Sequence, residues 1–390
     1  MAQVTDNGER LWRPVDPTRH HREKGWNYRG QAIYHFTLPV EGRYPLFGAL
    51  EGESADTAFV RLNAFGRRVC QMLSGLAQFY KDKGYALKVL TQMVMPDHVH
   101  LVIQVLEPLP QSIGAVVRGF KSGCTKVYKE EFYCNGENAA KVNGGPQAGD
   151  ARVNGEAPVH FARIFAGRGS IWQQDKAYYH ERILHTPGQL RRMIDYVKDN
   201  PRRLWLKSHN PDLFKLHRRT EAAGLSFTSM GNHFLLNLPD SQTVEMSRSA
   251  TNKEIQDRLS SALLAAHDGS VTYTAAISKG EQLIARSLRE QGYPLVVLLN
   301  DGFPREGSPH ERYYKPGGVY FEACSKGLLL LLEPTEEAFL DASIQKAVEE
   351  TLRRKAEERH YCYTPIPVTS QRYRFMALNE MAKRLSCSHP

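Results

Sequence analysis

The 390-residue sequence has no apolar run approaching the ~20 residues that a membrane helix needs. Its longest, Leu328 to Leu332, is strand-sized, so a chain that spans a membrane as helices is set aside. The opening residues, MAQVTDNGER, lack the apolar core of a signal peptide, and a cytoplasmic location is the expectation. Six cysteines (Cys70, Cys124, Cys134, Cys324, Cys362, Cys387) form no CxxC pair. That argues against a disulfide framework or a thiolate zinc site and for reduced, mostly buried thiols. No repeat with a period of roughly 20–50 residues is present, which excludes a solenoid or propeller. There is no GxGxxG, so a dinucleotide is not indicated.

What is present is apolar enough for packed cores: 41% hydrophobic and 10% aromatic residues. At about 150 residues per domain, the length suggests two domains. Charge divides unevenly between them. Residues 1–218 hold 31 Lys and Arg against 21 Asp and Glu, whereas the remainder holds 20 against 21. A polyanion partner for the first part is the simplest use of that asymmetry, although a ribosomal or membrane-surface role fits it as well.

The order of elements points to the fold. A basic, aromatic arm (residues 1–30, with Arg19 to Arg29 at its core) leads into a strand over 32–40. Helical spacing follows over 58–83, then strands over 85–95 and 99–106 separated by Pro96 and Asp97. A second helix is expected from 110 or 111 to 132. A Gly- and Asn-rich insertion follows over 135–158, and a third helix over 187–199 ends before Pro201. This order predicts an α+β domain over 31–210, an antiparallel sheet of the ferredoxin-like kind with helices on one face. Residues 220–390 predict a smaller α/β, Rossmann-like domain. Its strands fall over 232–238, 271–277, 295–300 and 327–332, alternating with helices over 252–267, 281–291 and 341–359. The boundary falls within 208–226.

The sharpest local feature is Met95-Pro96-Asp97-His98-Val99-His100-Leu101. On a strand His98 and His100 share a face while Val99, Leu101 and Ile103 point into a core. Two such imidazoles can converge on one metal ion, and they equally fit two half-exposed histidines on an amphipathic strand. On the third helix Tyr196 and Asn200 are spaced i,i+4 and share a face. A tyrosine beside an amide can be a nucleophile with a metal ligand, and Arg191, Arg192, Lys198, Arg202 and Arg203 supply charge to favour a phenolate. The same pair also fits a half-buried tyrosine and a helix cap.

Together these residues resemble the REP-associated tyrosine transposases, a branch of the single-tyrosine HUH transposases. The resemblance rests on Met95 to Leu101, on Ser170-Ile171-Trp172-Gln173, and on Asp195 to Pro201, and it spans roughly residues 19–207. It implies a ferredoxin-like core that binds single-stranded DNA beside a hairpin. His98, His100 and Asn200 would hold Mg²⁺ or Mn²⁺, and Tyr196 would attack the scissile phosphate to give a 5′-phosphotyrosine link. The sequence departs from the family in its 135–158 insertion and in a slightly longer spacing from Trp172 to Tyr178 and Tyr179. Those two tyrosines are structural or DNA-stacking residues on this reading.

Softer expectations concern DNA contacts. Trp26 and Tyr28 could stack on bases while Arg19, Arg22, Lys24 and Arg29 meet phosphates, or the aromatics could simply pack on the domain. Arg118, Lys121 and Lys126 form a basic face or a solvated helix surface. In the second domain Ser278 and Glu281 fit a capping box, or an anion site at a helix N-terminus. Asn300-Asp301-Gly302-Phe303 and Lys315 to Gly318 fall where open α/β sheets bind ligands, and the pattern loosely resembles bacterial DNA-processing proteins of the DprA kind. Two functions follow: a metal-dependent DNA endonuclease and strand transferase, or a hairpin-binding module or repressor without catalysis. A homodimer and a monomer fit equally.

Overall fold

In the computed structural model the described residues are 23, 25–133, 169–173, 180–304, 318–358 and 360–387. They divide between Ser208 and His209 into two compact units. Both are mixed α+β. Among the described residues no helix is long and apolar enough to cross a membrane.

The first unit is built on four antiparallel strands: β1 (Ala32–Pro39), β4 (Leu87–Val94), β5 (His98–Val105) and β6 (His180–Ile183), in the order β4-β5-β1-β6. A separate hairpin, β2 (Gly48–Glu51) and β3 (Phe59–Leu62), precedes α1 (Ala64–Ser74) and α2 (Leu76–Lys81). The sequence expectation of one helix over 58–83 therefore fails at both ends of α1. Residues 59–62 are extended, and Asn63 caps the helix by accepting from the Gly66 N–H at 2.8 Å. The chain then breaks again at Gly75.

Period-two alternation sorts the sheet's faces. Tyr34, Phe36 and Leu38 of β1 and Val99, Leu101 and Ile103 of β5 join one core with α1, α2 and α3 (Ile113–Val127). The opposite face carries Val102, packed with Met193, Val197 and Tyr196 of α4 (Gln189–Lys198). Helices thus cover both faces, not one as expected. The third expected helix is α4, and a further helix follows it directly. α4 stops at Lys198, and α5 (Asn200–His209) begins at once with Pro201 in its first turn, where the missing N–H costs nothing. Trp172 is fully buried against Phe47 and Phe120 and donates its indole N–H to Lys121 O at 2.9 Å.

The second unit has a six-stranded sheet ordered β7-β8-β12-β11-β10-β9. β9 (Ser241–Val244), β10 (Val271–Thr274), β11 (Leu295–Leu298) and β12 (Leu329–Pro334) run parallel. The hairpin of β7 (His217–Ala222) and β8 (Leu225–Gly231) adds antiparallel to β12. A strand was expected over 232–238, but His233–Asn237 form a 3₁₀ turn, and the strand ends at Gly231. Helices α6 (Asn252–His267), α7 (Lys279–Glu290) and α8 (Gly318–Ser325) follow the parallel strands, and α6 and α7 pack on one face. The other face receives α9 (Glu336–Phe339), α10 (Ala342–Glu358) and α11 (Gln371–Cys387).

Ser278 and Glu281 form the expected capping box at the start of α7. The Glu281 carboxylate also accepts from the Ile277 and Met246 N–H groups, so side chains occupy the helix terminus where an anion was the alternative. Among the described cysteines Cys124 and Cys324 are buried, Cys70 is partly so, and Cys362 and Cys387 are exposed. Thiols are therefore less uniformly buried than expected.

Candidate active site on the antiparallel sheet

The antiparallel register sets Thr37 of β1 opposite His100 of β5 and Pro39 opposite His98. His35, Thr37, His98 and His100 consequently share the face that receives α4. His98 and His100 are 4% and 2% exposed, so the half-exposed alternative does not describe them. Their rings meet edge-on at 4.7 Å with the two Nε2 atoms 3.0 Å apart. The Tyr196 ring stands edge-on to His100 at 5.5 Å and to His35 at 6.3 Å. His98, His100 and Tyr196, distant in sequence, are thereby brought together.

Each ring is held from behind. Asp97 Oδ1 lies 2.5 Å from His98 Nδ1, and Arg43 pairs with Asp97 Oδ2 at 3.3 Å. His100 Nδ1 lies 3.0 Å from His35 Nε2 and 3.1 Å from Thr37 Oγ1. Burial, helped by Arg182, His180 and His98, holds His35 neutral by lowering its pKa to about 4. Burial also pushes the Tyr196 phenol above its ordinary value, against the opposing pull of Arg203, a hydrogen bond with Asn200, and Arg43 and Arg182. The Arg203 guanidinium lies 5.4 Å from the Tyr196 ring centroid.

Asn200 is buried beside Tyr196, and its amide nitrogen donates to Tyr196 O at 2.7 Å. It therefore caps the end of α4, which leaves its oxygen as the atom able to meet a cation. Of the cations that surround Tyr196 in sequence, Arg203 faces the ring, whereas Arg191 pairs with Asp195 and Arg202 with Asp199. Arg43, Asp97, His35 and Thr37 carry no site role in the sequence reading. Asp97 adjoins the His98 motif and could have been found there. His35 and Thr37 become visible only once the β1–β5 register is known.

The donor set can be tested against a divalent ion. Among the described residues no group of three or more His, Cys, Asp or Glu side chains could hold one. The His98–His100 pair offers two imidazole nitrogens, which leaves room for an ion that keeps several water ligands, as Mg²⁺ and Mn²⁺ do. Asp97 accepts the His98 Nδ1–H and so leaves Nε2 as a lone pair, the arrangement common behind metal-bound histidines. Two bare Nε2 lone pairs at 3.0 Å repel unless a proton or a cation lies between them. The residues fit the group.

Of the arm, the described Trp26, Tyr28 and Arg29 pack on the domain. Trp26 donates to Tyr34 Oη at 3.1 Å, Tyr28 stacks on Tyr34, and Arg29 donates to Leu109 O at 2.9 Å. Both aromatics pack against the main core. The partly buried Lys121 lends its carbonyl to Trp172. Arg19, Arg22, Lys24, Tyr178, Tyr179, Lys315 to Gly317 and the 135–158 insertion lie outside the described residues.

No family model matches the chain, and no curated protein matches it. Nine solved chains do match. One is a REP-associated tyrosine transposase bound to a REP hairpin, at 15% identity and a TM-score of 0.25, covering 46% of this chain and 73% of that one. Another is a proposed transposase from Deinococcus radiodurans R1, at 15% identity and a TM-score of 0.23, covering 46% and 96%. Likeness at these scores assigns neither fold nor activity to this chain.

Proposed function

We propose that the first unit is a metal-dependent nicking and joining enzyme for single-stranded DNA beside a hairpin, with Tyr196 as its nucleophile. The observation that carries this reading is the edge-on meeting of Tyr196 with a buried His98–His100 pair. The sheet order β4-β5-β1-β6 supports a ferredoxin-like core, since it is the order of a split βαβ unit. The parallel β9 to β12 support a Rossmann-like second unit.

On this reading His98 and His100, with the Asn200 oxygen, hold Mg²⁺ or Mn²⁺. The bound ion supplies charge neutralisation at the scissile phosphate and favours the phenolate. Arg203, close to the Tyr196 ring, works in the same direction against burial. The Tyr196 oxygen forms a bond to phosphorus as the bond from phosphorus to the 3′-oxygen breaks. The phenol proton leaves to solvent, and the departing 3′-oxygen takes one up. Attack by that 3′-hydroxyl on the phosphotyrosine reverses the exchange and rejoins the strand.

The test is a denaturing gel of the protein with hairpin-bearing single-stranded DNA and Mn²⁺, beside Tyr196→Phe. A covalent band in the wild type alone is expected. A band in both moves the nucleophile elsewhere, and hairpin binding without a band leaves a recognition module.

A further inference from the structure

We propose that Thr37 and His35 are positioning residues that set the His100 tautomer able to bind a divalent cation beside His98. This rests on the metal reading of the His98–His100 pair and extends it to two residues of the neighbouring strand.

A neutral imidazole carries one N–H, and the bond made by one nitrogen decides the state of the other. The Asp97 carboxylate takes the His98 Nδ1–H, so a neutral His98 has its lone pair on Nε2. With His98 neutral and no cation bound, the 3.0 Å contact to His100 Nε2 is satisfied when His100 carries its proton there. His100 Nδ1 then accepts from the Thr37 hydroxyl at 3.1 Å or from His35 Nε2 at 3.0 Å.

With a cation bound to both Nε2 atoms, the His100 proton must move to Nδ1 and needs an acceptor. Thr37 Oγ1 serves, because a hydroxyl both donates and accepts and need only rotate. His35 Nε2 serves as well when its own proton sits on Nδ1. The site thus exchanges a shared proton for a cation by rearranging hydrogen bonds, with the number of bound protons unchanged. His35 is only 7% exposed, so water replaces these acceptors poorly, and a buried N–H with no acceptor is penalised. The register that sets Thr37 opposite His100 makes the arrangement a property of the sheet.

The experiment is Mn²⁺ binding to the metal-free full-length protein without DNA, read as free Mn²⁺ by electron paramagnetic resonance. Far-UV circular dichroism and urea unfolding check the fold of each variant. Thr37→Val, which keeps the shape and removes the hydroxyl, and His35→Ala should each weaken binding about tenfold. The double variant should approach a hundredfold, the span seen for outer partners of ligating histidines. Thr37→Ser should restore binding. Wild-type affinity in both single variants overturns the proposal, as does equal loss in Thr37→Ser and Thr37→Val, which would indicate packing. No uptake by the wild type overturns it too. Because DNA is absent, none of these outcomes depends on whether Tyr196 forms an adduct. If His35→Ala fails to fold, the two Thr37 variants decide.

Discussion

The Nε2 atoms of His98 and His100 face each other at 3.0 Å on a buried sheet face, and Tyr196 closes that face from α4. Burying two imidazoles beneath a partly buried phenol, behind a carboxylate, is costly unless every buried polar atom is matched. Here Asp97, Thr37, His35 and Asn200 supply the matches. A core that needed only volume would be met more cheaply by aliphatic side chains, as at Val102 on the same face.

Asp97 is the first lever. Its carboxylate faces His98 Nδ1 and is tied to Arg43, so it orients the ring and fixes its tautomer. Asp97→Ala should lower Mn²⁺ affinity about 10–100-fold. Asp97→Asn, which retains an oxygen acceptor, should stay closer to wild type. Isothermal titration with Mn²⁺ decides, and an equal loss in both variants would assign the effect to charge instead of orientation.

Much of the site was legible because it depends on periodicity. His98 and His100 alternate with Val99 and Leu101, and the structure places the two sets on opposite faces. Tyr196 and Asn200 do adjoin, although across a break between two helices that i,i+4 spacing alone could not reveal. What stayed hidden depends on pairing. His35 and Thr37 look like ordinary members of an amphipathic strand until β5 is laid beside them. The second unit shows the same limit. The helix over 252–267 carries its own capping box and was read with the bounds found. The hairpin of β7 and β8 is stabilised by partners distant in sequence, and it was missed.

In the second unit Glu333 offers a pH test. Its Oε2 accepts from the Gly302 and Phe303 N–H groups at 2.7 Å each. Burial nevertheless raises its pKa above the ordinary 4.5, with the two N–H groups pulling the other way and Asp301 adding to the rise. A carboxyl whose folded pKa exceeds its unfolded one contributes stability below the unfolded value, and loses it as pH rises through the folded value. Glu333→Gln keeps an acceptor without the charge. Its stability relative to wild type should therefore be near parity at pH 4 and more favourable at pH 7, by urea unfolding. The reverse trend would mean that the N–H bonds to the charged form outweigh burial.

Gly231 tests the join between the parallel strands and their hairpin. It ends β8 opposite Leu330 of β12, with φ +122°, and a Cβ there would stand 2.1 Å from Leu329 O. Alanine must therefore adopt a backbone region that side chains disfavour and push apart two paired strands. Strain and overpacking together predict a loss of about 2–5 kcal/mol. Gly269 isolates the first effect, because its φ is also positive, +102°, but nothing lies within 4 Å of the added carbon. Gly269→Ala should lose only about 1 kcal/mol. Thermal and urea unfolding of the two variants separates the effects: a comparable small loss at both positions would mean that β8 can move away from β12 without penalty.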